Sequence, residues 1–270
     1  MSVVLPSASQ ILAHLPASLQ HIHVEVYPTI DSTNTPARRM LAEGQIHSPT
    51  LLIALTQTAG RGRMGREFFS PAGSGLYMTL IHPLPSPTHH ITPAAAVAVC
   101  QATREVMGIS LGIKWVNDLY LDGKKVGGIL TECVQDPQGH PYVLAGIGVN
   151  ITTQAFPSGL RQPASSLLTP NMVACRDYDL SLMAARIVTH LIALWQSPEA
   201  CLANYRRELC LTGRTVTYAY VCAPDGDTTL PPCVTGVVEG VDDNFSLLLR
   251  QSDGQLLTLG SGEVTSVHIS

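Results

Sequence analysis

Hydrophobic and polar residues follow different periods along the chain, and these periods predict alternating strands and helices as far as about residue 210. HVEVY (His23–Tyr27) alternates as a half-buried strand does, whereas LLIALTQ (Leu51–Gln57) is a short apolar run typical of a buried strand. We predict two further strands, over Gly75–His82 and over YVLAGIGVNI (Tyr142–Ile151).

Start and stop signals mark two helices. Thr35 is the expected N-cap of the first helix, with Pro36 in its first turn and Gly44 at its end. Thr92 is the expected N-cap of the second helix, which Gly108 ends. Helical spacing also extends through two later segments, Leu180–Trp195 and Leu202–Leu209.

A change of pattern at Gly213 divides the chain into two predicted domains. Before it, the pair Asp122-Gly123 lies between β-favouring runs and predicts a hairpin. After it, short β-favouring runs alternate with Asp-Asn and Asp-Gly turn signals, as in a small β-barrel. We therefore expect an α+β domain with a mixed sheet and flanking helices over residues 1–212, and an all-β domain over residues 213–270.

Composition narrows the class of protein. Of the 270 residues, 45% are hydrophobic and 13% are charged, as in a globular chain. The net charge of −4, from 16 basic and 20 acidic residues, argues against a protein whose main task is to coat nucleic acid. No apolar run reaches membrane-spanning length and the N-terminus lacks the basic region of a signal peptide, so we expect a cytoplasmic protein.

The cysteines indicate a reducing compartment. They are odd in number, lie in apolar segments and form no C-x-x-C pair, which favours buried free thiols over disulfides or a metal site. The residues are Cys100, Cys133, Cys175, Cys201, Cys210, Cys222 and Cys233.

The most distinctive stretch is QTAGRGRMGREFFSPAGSGLY (Gln57–Tyr77), which contains a formal G-x-G-x-x-G pattern. A dinucleotide-binding turn would need a helix at its end, but Pro71, Gly73 and Gly75 break the segment, so we reject that interpretation. Glycines let a backbone close over a ligand and arginines donate bidentate hydrogen bonds, which together suit a phosphate or carboxylate ligand. From spacing alone, a solvated surface loop remains the alternative. The residues concerned are Gly60, Gly62 and Gly65 with Arg61, Arg63 and Arg66.

Two further polar clusters accompany this loop. DSTN (Asp31–Asn34) lies between a strand and a helix, where it either caps the helix, the commoner role, or faces a polar ligand at the helix N-terminus. KWVNDLYLDGKKVGGILTE (Lys114–Glu132) places polar groups at a strand end beside a glycine pair, which indicates either the wall of a site or an exposed hairpin. Trp115 is interpreted as a core residue.

Taken in order, D-S-T-N, Q-T-x-G-R-G-R-x-G-R, K-W-x-N-D, K-x-G-G-I-L-x-E and G-I-G-V-N-I resemble the motifs of the biotin protein ligases, from Asp31 to Ile151. The resemblance implies a catalytic domain like that of class II aminoacyl-tRNA synthetases and biotin ligases, with a motif core over residues 23–151 and a C-terminal SH3-like β-barrel. Val116 stands where the family usually has proline, which should change local stiffness more than chemistry. Regulatory members carry an N-terminal winged helix-turn-helix domain, which we expect this chain to lack.

The resemblance implies an ATP-dependent ligase with two half-reactions. Biotin's carboxylate attacks the α-phosphate of ATP, with Mg²⁺ on the nucleotide phosphates, and gives biotinyl-5′-AMP and pyrophosphate. The amine of one lysine on a biotin carboxyl carrier domain of a carboxylase then attacks the mixed anhydride. Cations are needed because two anions must be brought together.

The resemblance also assigns roles on the biotin side. Arg61 and Lys125 are expected to offset the negative charge, and Asp118 to orient or deprotonate the incoming lysine. No metal-binding side chain is expected. The residues predicted to contact biotin or its adenylate are Ser32, Thr33, Asn34, Gln57, Gly60, Arg61, Gly62, Arg63, Lys125, Gly127 and Gly128.

On the nucleotide side, Phe68 and Phe69 are expected to cover the adenine, with Lys114 and Asn117 close to the nucleotide. The side chain of Arg63 is expected to act mainly by ordering the glycine-rich loop. We expect that loop to be mobile when empty and to close over an anionic ligand, which would keep water from the anhydride.

Alternatives remain in two classes. A lipoate or octanoate ligase or transferase would share the fold and the acyl chemistry, although the arginine–glycine loop counts against it. A ligand-responsive DNA-binding regulator is more distant, since the net charge is acidic and a helix-turn-helix domain is not expected. Neither DNA nor a membrane is an expected partner. Sheet edges would pair either with the acceptor or with a second copy, so a homodimer stays open.

Overall fold

The computed structural model describes residues 3–160, 162–169, 178–219, 233–260 and 262–268. Two of the cysteines, Cys175 and Cys222, lie outside these ranges. Within them, no helix is long and apolar enough to cross a membrane.

The described residues form five α-helices: α1 Ala8–His14, α2 Asn34–Ala42, α3 Ile91–Met107, α4 Leu180–Gln196 and α5 Pro198–Glu208. The hydrophobic pattern predicted α2, α3, α4 and most of α5. It gave no prediction for the short α1, whose N-cap Ser7 accepts a hydrogen bond from the backbone N–H of Gln10.

A mixed sheet forms the centre of the fold. Its strands are β2 His23–Tyr27, β3 Thr50–Ala54, β4 Gly75–Pro83, β5 Gly112–Lys114, β6 Asp118–Leu121, β7 Lys124–Gln135 and β8 Pro141–Asn150. These seven strands are arranged in the order β2-β3-β4-β8-β7-β6-β5. Only β2 and β3 pair in parallel, and the other pairs of this sheet are antiparallel. A mixed sheet with flanking helices confirms the predicted α+β class.

The sheet is covered by helices on both faces. Alternate residues of β3 show this, because Leu51 and Ile53 pack into the main core with α3 and α4, whereas Leu52 packs with α2. All of β3 is buried, which explains why its sequence is a continuous apolar run and not an alternating one.

Both predicted N-caps are wrong. Thr33, not Thr35, takes the N-cap position of α2. Likewise α3 begins before Thr92, whose hydroxyl is hydrogen-bonded to Thr131 across to β7. The hydroxyls of Thr33 and Thr92 bond to other elements of the fold, which local sequence does not reveal, and the Thr35 hydroxyl has no hydrogen-bond partner among the described residues. The predicted end of α3 is confirmed, since Gly108 adopts a left-handed φ of 71° at the C-cap.

The chain after residue 214 contains short strands, as the sequence predicted. They are β10 Thr215–Ala219, β11 Cys233–Val241, β12 Leu247–Arg250, β13 Leu256–Leu259 and β14 Glu263–His268. They form an antiparallel five-stranded sheet in the order β13-β12-β11-β10-β14. The short strands β1 (Val3–Val4) and β9 (Tyr178–Asp179) pair separately. The closure of the five strands into an SH3-like barrel, and a domain boundary at residue 212, remain predictions.

The two large sheets share a core at Trp115. Its indole Nε1 donates a 2.8 Å hydrogen bond to the carbonyl oxygen of Phe245, and the Phe245 ring packs edge-on against Tyr205. Trp115 is 5% exposed, which confirms that it is a core residue. The hairpin prediction is also confirmed, since Asp122 and Gly123 join β6 to β7 with positive φ angles of 49° and 74°.

The prediction of buried free thiols holds for some cysteines only. Cys100 and Cys201 are buried and free, and burial raises the pKa of Cys201 to about 12. Cys133 and Cys233 are free but exposed, contrary to the prediction. Cys133 lies near the end of β7, where its side chain is exposed although it has the same parity on the strand as the buried Ile129.

We expect Trp115→Phe to lower the free energy of unfolding by about 1–3 kcal/mol, because the substitution leaves the Phe245 carbonyl without its donor. Trp195→Phe is a matched control, since Trp195 is also buried but its Nε1 has no hydrogen-bond partner among the described residues. Urea denaturation of both variants measures the difference. Equal losses of stability would show that the Trp115 hydrogen bond contributes nothing.

Candidate active site

Three glycines leave one face of the central sheet bare. Gly128 of β7 lies directly opposite Gly148 of β8, and Gly146 lies on the same face two residues before Gly148. A Cβ on Gly146 would lie 2.5 Å from Asn34 Oδ1, and one on Gly148 would lie 2.6 Å from the Phe68 ring. Glycine is therefore required for Asn34 and Phe68 to lie on these strands. All five residues line a cavity of about 350 Å³.

One end of the cavity is polar and uncharged. Ser32, Thr33 and Asn34 are each 4% exposed and lie at the N-terminus of α2. The Thr33 backbone N–H donates a 2.8 Å hydrogen bond to Gln57 Oε1, and Gln57 Nε2 donates to Ser70 Oγ at 2.8 Å. The Thr33 side chain makes no capping hydrogen bond. The capping interpretation of DSTN is thus wrong for Thr33, and the alternative at a ligand site fits its position.

The other end of the cavity is cationic. Five lining side chains carry positive charge and three carry carboxylates, so the lining has a net charge of +2 in a chain whose net charge is −4. This excess favours a ligand that carries negative charge. The cations are Arg61, Arg63, Arg66, Lys114 and Lys125, and the carboxylates are Glu67, Asp118 and Glu263.

The cations differ in how they are held. Lys125 Nζ donates to Asp118 Oδ1 at 2.5 Å. Arg63 donates to Asn117 Oδ1 at 3.0 Å. The Arg61 guanidinium is exposed and makes no hydrogen bond or ion pair with any residue that the structure describes. Among the arginines of the loop, Arg61 is therefore the one most available to an incoming anion.

The C-terminal sheet contributes to the site through Glu263. Arg66 donates two hydrogen bonds to this carboxylate, at 2.6 and 2.5 Å, and joins the glycine-rich loop to β14. The pairing raises the pKa of Arg66. Lys114 is 5% exposed, and its burial lowers the pKa of its amine. Its Nζ lies 5.5 Å from the centre of the Tyr120 ring, a cation–π distance.

The two sides of the glycine-rich loop lie close together where it leaves the sheet. A Cβ on Gly60 would lie 2.4 Å from the Phe68 carbonyl oxygen, so glycine is needed where the two sides of the loop meet. At the tip, Met64 and Gly65 have positive φ angles of 59° and 71°. A three-residue 3₁₀ turn, Arg63–Gly65, precedes β4 and no α-helix follows directly. The rejection of a dinucleotide-binding turn is confirmed.

The two phenylalanines of the loop have different surroundings. Phe68 lies over Gly148 and packs edge-on against Tyr77, with ring centroids 6.4 Å apart. Phe69 is 39% exposed at the cavity mouth and lies 6.3 Å from the ring of Phe156. Phe69 is therefore the better placed of the two to cover a flat ligand ring. Their role at adenine remains a prediction.

Most of the residues predicted for the site line this cavity, and two do not. Gly60 lies at the base of the loop, where its close contacts are with Phe68 and Ser70. Gly127 faces the opposite side of β7 from Gly128, and a Cβ there would lie 2.7 Å from the Gly148 carbonyl oxygen. The residues brought together are Ser32, Thr33, Asn34, Gln57, Arg61, Gly62, Arg63, Phe68, Phe69, Lys114, Asn117, Asp118, Lys125 and Gly128. Binding roles for all of them remain predictions.

Sequence reasoning missed several lining residues. Asn150 is 4% exposed, and its Oδ1 has no hydrogen-bond partner among the described residues although Nδ2 donates to the Ser165 carbonyl. Its two-residue spacing from Gly148 was a signal that the three-glycine face continues to Asn150. No local signal indicated Glu263 or Phe156. The peptide bond between Trp115 and Val116 is cis.

Among the residues that the structure describes, no three His, Cys, Asp or Glu side chains are grouped so that they could hold a metal ion.

Comparisons with known proteins agree with this geometry. Residues 26–150 match the model of the biotin/lipoate A/B protein ligase family. The chain is 39% identical over 260 residues to the bifunctional ligase/repressor BirA of Bacillus subtilis, covering 92% of this chain and 75% of that protein. It is 30% identical over 257 residues to the biotin–[acetyl-CoA-carboxylase] ligase of Mycobacterium tuberculosis, covering 91% and 89%.

The fold also matches a solved structure. A biotin protein ligase from Aquifex aeolicus, determined in complex with biotin and ATP, superimposes with a TM-score of 0.70 at 22% identity. The match covers 92% of this chain and 99% of that one. Sequence and fold agree, and the chain belongs to the biotin protein ligase family.

Proposed function

We propose that this chain joins biotin to a specific lysine of a biotin carboxyl carrier protein, by way of biotinyl-5′-AMP formed from ATP. The observation that carries the proposal is a single cavity with two chemically different ends. Thr33 and Gln57 line its uncharged polar end, and Arg61 and Lys125 line its cationic end. Biotin has the same division, with a neutral ureido group at one end and a carboxylate at the other.

In the first half-reaction, the ureido group lies against Ser32, Thr33 and Gln57, which offer both donors and acceptors. The bare glycine face accommodates the apolar part of biotin. The carboxylate then faces Arg61 and Lys125. These cations offset the repulsion between the carboxylate and the α-phosphate while the new P–O bond forms and pyrophosphate leaves.

In the second half-reaction, a lysine amine attacks the acyl carbon, an amide bond forms, and AMP leaves with the electrons of the broken C–O bond. The attacking nitrogen must lose a proton. Asp118 is the proposed acceptor or orienting group, and it now pairs with Lys125. Movement of Lys125 towards the phosphate would release the Asp118 carboxylate for this task.

Mg²⁺ enters this proposal as part of the ATP substrate, held by nucleotide phosphate oxygens. The C-terminal strands are proposed to form an SH3-like barrel that closes the nucleotide end of the cavity. The first two residues of β14, Glu263 and Val264, and the preceding Gly262 support this placement by lining the cavity.

A lipoate or octanoate ligase is not favoured, because two relatives that match most of the chain, from Mycobacterium tuberculosis and Paracoccus denitrificans, are named as biotin–[acetyl-CoA-carboxylase] ligases. The carrier domain of a carboxylase is the expected protein partner, as the names of those relatives imply. A cytoplasmic location and the absence of DNA binding remain predictions, and a homodimer stays open.

The reaction itself provides the first test. Purified chain, ATP and an acceptor domain are incubated with either biotin or lipoate, and both pyrophosphate release and the mass of the acceptor are followed. We expect pyrophosphate and a biotinylated acceptor with biotin only. Transfer of lipoate in preference to biotin would contradict the proposal.

Arg61→Ala should reduce biotin-dependent pyrophosphate release by about 10²–10³-fold, the usual loss when one transition-state charge contact is removed. Because Arg61 is exposed and makes no hydrogen bond or ion pair with the described residues, the stability of the Arg61→Ala variant should differ little from that of the unmodified protein. Arg39→Ala, an exposed arginine of α2 away from the cavity, is the matched control. Turnover like that of the unmodified protein would remove Arg61 from the mechanism.

Closure of the glycine-rich loop can be followed by hydrogen exchange. We expect the amides of residues 60–70 to exchange more slowly when biotinyl-5′-AMP binds, because an anion would hold the arginines of the loop. The buried strand β3 serves as an internal reference. Unchanged amide exchange in the loop, at a saturating concentration of biotinyl-5′-AMP, would contradict closure of the loop over the ligand.

A further inference from the structure

Two residues behind the polar end of the cavity do not line it, yet both bond to residues that do. Thr79 of β4 is fully buried, and its hydroxyl oxygen lies 2.5 Å from Asn34 Oδ1 and 2.7 Å from Thr33 Oγ1. Glu132 of β7 accepts a 2.9 Å hydrogen bond from Asn34 Nδ2. A continuous series of hydrogen bonds therefore joins Glu132 to Thr33.

The carboxylate of Glu132 fixes the orientation of the Asn34 amide. An ionised carboxylate only accepts hydrogen bonds, so the nitrogen of Asn34 has to face it. The outer side of Glu132 pairs with the Arg38 guanidinium. Oδ1 of Asn34 is then directed towards Thr79 and requires a donor there.

This orientation determines which atom donates at each following contact. The Thr79 hydroxyl has one hydrogen, and Asn34 Oδ1 can only accept, so that hydrogen lies between Thr79 and Asn34. The short contact from Thr79 to Thr33 must then use the hydrogen of Thr33. Gln57 Oε1 is a poorer partner for that hydrogen, at 3.3 Å, and already accepts from the Thr33 backbone N–H.

The result is that Thr33 has no hydrogen left for a ligand and offers the cavity a lone pair on Oγ1. A ureido group carries two N–H donors, so an acceptor at this position matches biotin. If the order of donors were reversed, Thr33 would present a hydrogen to a ureido N–H, and the two would repel each other.

We propose that Glu132 is a positioning residue for biotin recognition, which sets the direction of the hydrogen bonds through Asn34 and Thr79 so that Thr33 accepts from the ureido group. The inference rests on the proposed placement of biotin at Thr33. Glu132 touches neither substrate nor reacting atoms, and its effect is on binding of biotin and not on the chemical steps.

Calorimetric titration of the full chain with biotin tests this directly. Glu132→Gln replaces an obligate acceptor with a group that can also donate, so the Asn34 amide can turn and the order can reverse. We expect the Kd for biotin to rise about tenfold, as for the loss of one buried hydrogen bond. The KM for ATP and the Tm should stay close to those of the unmodified chain. Glu239→Gln, which alters an exposed Glu–Arg pair far from the cavity, should leave the biotin Kd unchanged.

A double substitution separates positioning from a general structural role. Asn34→Asp combined with Glu132→Gln transfers the carboxylate, which can only accept hydrogen bonds, from position 132 to position 34. The new carboxylate accepts from the amide at position 132 and from the Thr79 hydroxyl. The original direction is restored, and the Kd for biotin should return to within about threefold of its starting value. Asn34→Asp alone places two carboxylates in contact and should weaken biotin binding.

Three results would overturn the inference. In the first, Glu132→Gln binds biotin as the unmodified chain does. In the second, biotin affinity, ATP KM and Tm all deteriorate together. In the third, the double substitution fails to recover affinity. Failure of the unmodified chain to bind biotin would overturn the proposed function as well, and that outcome is distinguishable because it requires no variant.

Discussion

The site depends on a stretch of sheet without side chains. Gly128, Gly146 and Gly148 leave the backbone of two adjacent strands bare on one face, and the contacts of Asn34 and Phe68 with that face would be lost if a Cβ were added. This single steric constraint lets Asn34 and Phe68 lie directly on the sheet, where both line the cavity. The N-terminus of α2 and the glycine-rich loop line the same cavity.

Two kinds of electrostatics are combined around that space. At the polar end, neutral groups are held by directional hydrogen bonds, so recognition depends on which atom donates. At the cationic end, Asp118 and Glu263 hold Lys125 and Arg66 in place, while Arg61 is left unpaired among the described residues. Carboxylates that hold cations in this way limit the repulsion between those cations before an anionic substrate arrives.

Much of the fold could be predicted from local sequence, because apolar runs such as β3 and turn pairs such as Asp122-Gly123 carry their own signals. Helix starts could not, since α2 begins after Thr33, whose hydroxyl bonds to β4, and Thr92 lies within α3 and bonds to β7. The glycine-rich loop was recognisable from its motif. Its partner Glu263 was not, because 197 residues separate it from Arg66 and only folding brings them together.

A crystal structure of the chain with bound biotinyl-5′-AMP is the most direct test of this account. It should show the ureido group within hydrogen-bonding distance of Thr33, the hydrocarbon part on the bare face of β7 and β8, and the phosphate between Arg61 and Lys125. Adenylate density anywhere else on the protein, or in this cavity with its two ends exchanged, would contradict the account.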